Sequence, residues 1–437
     1  MTEITHTRVM RVAIPIVLAN VTVPLLGAVD TAVVGQMGLA APIGAVGLGA
    51  VILSSLYWIF GFLRMGTTGL AAQAIGAGDH AESTAILLRA LIIGGAAGLF
   101  FTVMQLPLTR GALWLSPGSI EVETLAHSYL TIRIWGAPAT IALYAVSGWL
   151  IATERTQAVL VLQLWINGVN IALDLWFVLG LGWGVEGVAI ATLIAEWSGL
   201  TLGLWLCRAA FGAALTPALA RLRDAAALAR MAAVNGDIMI RSVLLQLSFT
   251  SFLFLGAGQG DVTLAANQVL LQFLTIAAFF LDGFAFAAEA LVGQAVGARS
   301  VRAARRASIV STQWGVGAVL CLCLSYLAAG PAIIDLMTTA PEVRLAAREY
   351  LPWLVAAPII GVWAWMLDGI FIGATLTRQM RQAMLHSVLI YAAALLILVP
   401  LWGNHGLWAA LMILNMARGI IMARKWPEVE RRAAGDA

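Results

Sequence analysis

Charge is what this 437-residue chain has least of: 25 basic and 22 acidic residues make up 11% of it, where an ordinary soluble domain holds about a quarter. That shortage excludes a disordered chain, a cytosolic enzyme of normal composition and a nucleic-acid binder, each of which needs a surface rich in ions. Cysteine is nearly missing. Cys207, Cys321 and Cys323 are too few for a disulfide framework and show no zinc-ligand spacing; Cys321-x-Cys323 lies in an apolar run and reads as packing. Histidine is scarce as well. His6, His80, His127, His386 and His405 keep no mutual ligand spacing, so no resident metal or other cofactor is expected. What fills the chain is apolar, with 61% hydrophobic residues and a mean hydropathy of +0.92. The class this defines is a polytopic membrane protein.

A bilayer core of roughly 30 Å takes about 20 apolar residues as a helix. The apolar runs here are long and continuous, without the alternating segments of about ten residues that a barrel needs, so an all-α membrane protein is expected. Twelve spans are read, at 10–34, 44–70, 86–107, 125–151, 158–180, 187–208, 232–256, 264–290, 307–330, 349–373, 383–402 and 405–424. The first stretch is too long for a cleaved signal and carries Pro15, Pro24 and Asp30. Arginine placement tests the count. With twelve spans, 19 of the 25 basic residues fall on the side of the two termini; Arg110, Arg344 and Arg348 fall opposite, and Arg64, Arg133 and Arg241 within spans. Such a bias puts both ends in the cytoplasm.

The chain also repeats itself. LAAQAIGA at 70–77 returns as LVGQAVGA at 291–298, and GWLIAT at 148–153 as GIFIGA at 369–374, both 221 residues on; Gly184 and Gly187 meet Gly403 and Gly406 at 219. A duplication of six spans has parallel topology, which predicts two lobes related by a pseudo-twofold axis along the membrane normal. The expected division is a six-helix lobe at 1–208, a cytoplasmic connector at 209–231, and a second six-helix lobe with a short tail at 232–437. Two such lobes suit an alternating-access transporter better than a channel or a membrane-embedded enzyme, for which no catalytic constellation is visible.

An ionisable group at mid-membrane costs about 2.5–3.5 kcal/mol on insertion scales, so each one asks for a reason. Asp30 follows two prolines on span 1, and Pro15 or Pro24 is a candidate hinge beside it. On span 5 Asn170 and Asp174 stand four apart, on one helical face, and Thr192 on span 6 adds a hydroxyl. Two carboxylates, an amide and a hydroxyl are hard oxygen ligands able to hold a sodium ion or share a proton; the same groups would also serve merely to tie helices together. Asp237 and Arg241, four apart on span 7, read as an intrahelical ion pair. Asp282 and Asp368 both occur as Leu-Asp-Gly, either as a second polar cluster with Asp237 and Arg241 or as local caps to the glycines that follow. Glu289 is expected at the interface beside Gln294; Glu196 has no evident role. Gly182-x-Gly184-x-x-Gly187 matches a dinucleotide-binding pattern, but no strand precedes it, and it reads as a turn.

Taken together, FLRMGTTGLAAQAIGAG (62–78), NGDIMIRSVLLQ (235–246), FLDGFAFAAEALVGQAVGAR (280–299), LDGIFIGAT (367–375) and GNHGLWAAL (403–411) resemble the multidrug and toxic compound extrusion (MATE) family of the MOP superfamily, and within it the bacterial DNA-damage-inducible F subgroup. The resemblance runs through both halves. It implies a V-shaped bundle of two six-helix lobes in a bacterial inner membrane; a single chain closes that two-lobe design by itself, so a monomer is expected. It also implies export of small amphipathic, often cationic or aromatic, compounds by antiport with protons or sodium. The family's cation site in the amino-terminal lobe falls here on Asp30, Asn170, Asp174 and Thr192. Another branch uses acids of the carboxy-terminal lobe; Asp368 lies in a comparable span, without that branch's full pattern. A lipid or polysaccharide-precursor flippase of the same superfamily is the alternative, and would be expected to carry more intramembrane arginine than acid.

Overall fold

The computed structural model describes residues 3–115 and 119–435, and these are helical almost throughout, with no strand among them. Helix is what an apolar chain must form in lipid, because only there does each peptide group find its partner within the segment. Among the described residues eleven helices are long and apolar enough to cross a membrane, beginning with His6–Gly35, Ala40–Gly76, His80–Val103, Ile120–Ala152, Thr156–Gly180 and Gly184–Leu206. Ala225–Ala257, Asp261–Gly297, Val301–Met337, Pro341–Gly373 and Thr377–Ala434 follow. The last has 58 residues, about 87 Å of helix at 1.5 Å per residue, enough for two crossings. It is broken at Gly403, whose φ of 55° and ψ of −127° are not helical. Gly184, its partner in the repeat, has a φ of 59° and opens the helix Gly184–Leu206. The expected twelve crossings are therefore present, two of them joined end to end at Gly403. Capping residues set several starts: the side chains of Asp79, Ser119 and Ser300 accept the N–H of Glu82, Val122 and Ala303 at 3.0, 3.3 and 3.3 Å.

The chain divides into two compact units. One comprises residues 18–75 and 79–228; the other comprises residues 1–17, 76–78 and 229–437. These are not quite the halves expected from the repeat. Residues 1–17 belong with the later spans: Arg8 donates to Gln294 Oε1 at 3.0 Å, and a Cβ on Gly283 would lie 2.8 Å from the Ala13 carbonyl oxygen. The split of the first helix falls between Val17 and Leu18, so Pro15 sits in the later unit and Pro24 in the earlier one. The connector, too, is structured on the earlier unit. Its helix Leu215–Arg221 brings Arg221 to Asp79 at 2.6 Å, while Arg89 reaches the Arg221 carbonyl and Glu82. At Asp79, in the loop before the third span, partial burial works to raise the carboxyl, but hydrogen bonds from the Glu82 N–H and from Arg221 outweigh it and hold it below its ordinary value.

The repeat is visible in the packing of each unit. A Cβ on Gly148 would run into the Arg64 carbonyl, and a Cβ on Gly369 into the carbonyl of Ala285; each pair is the other moved by 221 positions. Glycine at these points lets two helix backbones touch, the usual device where lipid supplies no hydrophobic drive for helix association.

Candidate functional site

The helix Thr156–Asp174 turns Asn167, Asn170 and Asp174 to one face, all buried. Immediately after Asp174 the backbone widens into a π-helical turn, Leu175–Gly180, a form that appears mostly at functional positions. Asn170 Nδ2 donates to Thr192 Oγ1 at 3.0 Å, and Thr192 in turn donates to the Val188 carbonyl at 2.9 Å. Asn167 Nδ2 donates to the Thr22 carbonyl at 3.1 Å and Asn167 accepts from Gln163 at 2.9 Å, which pins this helix to the first span two residues before Pro24.

The carboxyls of Asp30 and Asp174 face each other within hydrogen-bonding reach. Neither carries a donor when ionised, and the nearest one, the Asn170 amide, is shared with Thr192; Asp30 Oδ1, both oxygens of Asp174 and Asn170 Oδ1 are buried without a well-formed hydrogen bond. Asp174 and Asn170 are fully buried. Oxygen atoms stripped of water and left without donors are costly. A proton between the two carboxyls, or a small cation among the oxygens, removes that cost.

The positive charge acting on both acids is Arg133, and its guanidinium is already taken. It makes a bidentate pair with Glu196, Nη1 to Oε2 at 2.7 Å and Nη2 to Oε1 at 2.9 Å, the strong planar geometry for this ion pair. Tyr129, one turn before Arg133, hydrogen-bonds it as well. Gly136 makes room: a Cβ there would strike the Glu196 carboxylate. Sequence reasoning did not find this pair, nor Asn167. Asn167 stands three positions before Asn170 on the same face, and that spacing was the available signal; Arg133 and Glu196 are too far apart in sequence to leave one.

The four residues proposed from the sequence, Asp30, Asn170, Asp174 and Thr192, are thus neighbours inside one unit. The second group fares differently. Asp237 reaches beyond its own helix: it pairs with Arg381 at 2.6 Å and accepts from Thr377 at 3.1 Å. Arg241, a turn deeper, forms a buried ion pair with Asp368, whose same oxygen also lies 3.4 Å from Arg418. Asp368 therefore ties spans together rather than capping the following Gly369. Asp282 is half-buried on the helix Asp261–Gly297. Glu289 is enclosed by protein at 1% exposure, not spread at an interface. Gly182 and Gly184 have φ of 70° and 59° in the turn between the fifth and sixth spans, which agrees with the turn reading. Among the described residues no three His, Cys, Asp or Glu come together as a metal site.

Twelve crossings in a six-span repeat, with an acid pair inside one unit, define a membrane transporter of the multidrug-extrusion kind, and comparison with known proteins agrees. The MatE family pattern matches residues 15–176 and 238–417, and the chain belongs to that family. It is 40% identical over 422 residues to DNA damage-inducible protein F of Escherichia coli K12, covering 95% of this chain and 90% of that one. It is 28% identical to the probable multidrug resistance protein NorM of Bradyrhizobium diazoefficiens, over 83% of this chain and 78% of the relative. In fold it matches the Vibrio cholerae MATE transporter VcmN in its bent form, with a TM-score of 0.84, 20% identity, and 98% and 97% of the two chains covered. An outward-facing multidrug resistance MATE transporter of the MOP superfamily matches with a TM-score of 0.85, again at 20% identity, over 98% and 96%.

Proposed function

We propose that the protein is a secondary active efflux transporter of a bacterial inner membrane, both termini cytoplasmic, that expels small amphipathic organic compounds by alternating access in exchange for protons or sodium ions. Asp30 and Asp174 are the coupling acids, with Asn170 and Thr192 completing the oxygen set. One observation carries this reading: two carboxyls face each other in a buried site that supplies them no cation and at most one shared amide donor. Such a pair changes its environment's charge each time it takes up or loses a positive ion, and a helix that lacks a backbone donor at Pro15 and Pro24 is well placed to respond. The ion must bind the drug-loaded and drug-free states unequally, since an ion of equal affinity for both drives nothing.

The test is dye transport in sealed proteoliposomes with a proton or a sodium gradient imposed separately. Export should follow one of the two gradients and stop when that gradient is collapsed. Asp30→Asn, inserted and folded as shown by size exclusion and circular dichroism, should bind dye and fail to export it. Undiminished gradient-driven export by Asp30→Asn would remove the acid pair from the mechanism.

A further inference from the structure

Outside the acid site, the ninth helix, Val301–Met337, carries an unusual stripe. Arg302, Arg305 and Arg306, then Ile309, Gln313 and Val316, recur at three- and four-residue steps and so share one side of the helix. Two hollows lie along that side. The first, about 880 Å³, is lined by the three arginines with Ser300, Ile4 and Glu3. The second, about 590 Å³, shares Ile309 with the first and extends along the helix to Val316, with Trp363 and Met366 facing it. Charge therefore stands at one end and apolar surface at the other. From Arg302 to Val316 the helix rises about 21 Å, enough to run from a headgroup layer into hydrocarbon.

The charge is available. Arg305 is engaged by Glu430 at 2.7 Å, but Arg302 and Arg306 are exposed and paired with no acid among the described residues. Glu3 is the one acid lining the hollow, so the balance there stays positive.

The geometry points to a binding site for an anionic phospholipid of the surrounding bilayer, its phosphate held by Arg302 and Arg306 and an acyl chain lying in the groove at Ile309 and Val316. A bilayer lipid already has the required form, with negative charge at the surface and an apolar chain directed inward. The arginine-rich end of the spans is the one that meets an anionic leaflet. A free anion would use the arginines and leave the groove idle; a neutral lipid would do the reverse.

Native mass spectrometry of the full chain in detergent can separate these, without any transport measurement, so that its outcome is independent of the coupling mechanism. Phosphatidylglycerol and phosphatidylcholine of identical acyl chains are added in turn. Phosphatidylglycerol should be retained in preference. Arg302→Gln with Arg306→Gln should weaken its retention about thirtyfold, near fivefold for each surface arginine lost, while the double lysine variant keeps it. Val316→Trp, which fills the groove and leaves the charges, should weaken both lipids alike. Equal retention of the two lipids by the unaltered protein, or displacement of phosphatidylglycerol by millimolar inorganic phosphate, overturns the proposal. Should the glutamine variant fail to fold, the headgroup preference and the Val316→Trp result still decide it.

Discussion

The two units are built alike and charged differently inside. In the earlier one, Asp30, Asp174 and Glu196 share an interior with Arg133, and Arg133 is spent on Glu196. Acid is in excess, and the Asp30–Asp174 pair is left without a cation of its own. Counting 221 residues on, Asp30 becomes Ser251 and Asn170 becomes Tyr391. Those two hydroxyls lie 3.1 Å apart, and Tyr391 also donates to the Ser248 carbonyl at 3.2 Å. Nearby polar groups are closed off in the same way: Asn267 and Asn404 exchange amide hydrogen bonds at 2.8 and 3.0 Å, and Trp408 donates to Asn267 at 2.9 Å. Where the later unit does bury charge, one carboxylate, Asp368, stands between two arginines. At these mirrored positions one interior holds facing acids and the other hydroxyls and amides that bond one another, with arginines around its Asp368. The lesson is that a duplicated scaffold can keep its packing while its two copies bury charge differently.

The largest effect should come from the acids themselves. Asp174→Asn should reduce gradient-driven dye export in vesicles to background, whereas Tyr391→Phe, at the mirrored span of the later unit, should leave it near normal; equal loss in both would break the asymmetry. Next comes the buried ion pair. Arg133→Met strands Glu196 and should cost about 3–5 kcal/mol, read as a fall in thermal stability in detergent, and the double variant Arg133→Met with Glu196→Leu should recover most of it. Arg241→Met should cost less, because Arg418 still faces Asp368. The glycine crossings should behave as twins: Gly148→Ala and Gly369→Ala each push a methyl against backbone, about 1–3 kcal/mol, and a large difference in melting temperature between them would argue against equivalent packing. The smallest effect belongs to Asp79 and Arg221. Because the folded state holds Asp79 below its unfolded value of about 3.9, its contribution is present above that pH and is lost as pH falls through the lower, folded value. Asp79→Asn should lower stability slightly at neutral pH, where that contribution is fully present, and flatten the acid limb of the pH–stability curve, the two proteins converging at low pH.

Much of this was legible in the residues. Spans announce themselves because lipid tolerates little else, and an acid within one stands out because it is expensive; that is why Asp30, Asn170, Asp174 and Thr192 could be grouped before any coordinates. The repeat was legible too, down to Gly184 and Gly403. What stayed hidden was partnership across distance. Asp237 and Arg241 have the right spacing for an ion pair, but spacing is only an opportunity, and Arg381 and Asp368 offer each of them a better one. The allegiance of residues 1–17 to the later unit likewise depends on contacts such as Arg8 with Gln294, which no periodicity reveals.

The π-helical turn after Asp174 has a mechanical meaning of its own. Thr156 and Thr377 stand 221 apart, yet Gly184 and Gly403 only 219, so the earlier copy is two residues longer between these points, and Leu175–Gly180 lies within that interval. Each residue of a regular helix turns the chain by about 100°. A wide turn can absorb surplus length locally, leaving the direction of Asp174 independent of where the following glycine loop must close. Deleting a residue there would act as a dial, swivelling one end of the segment against the other while every side chain kept its identity.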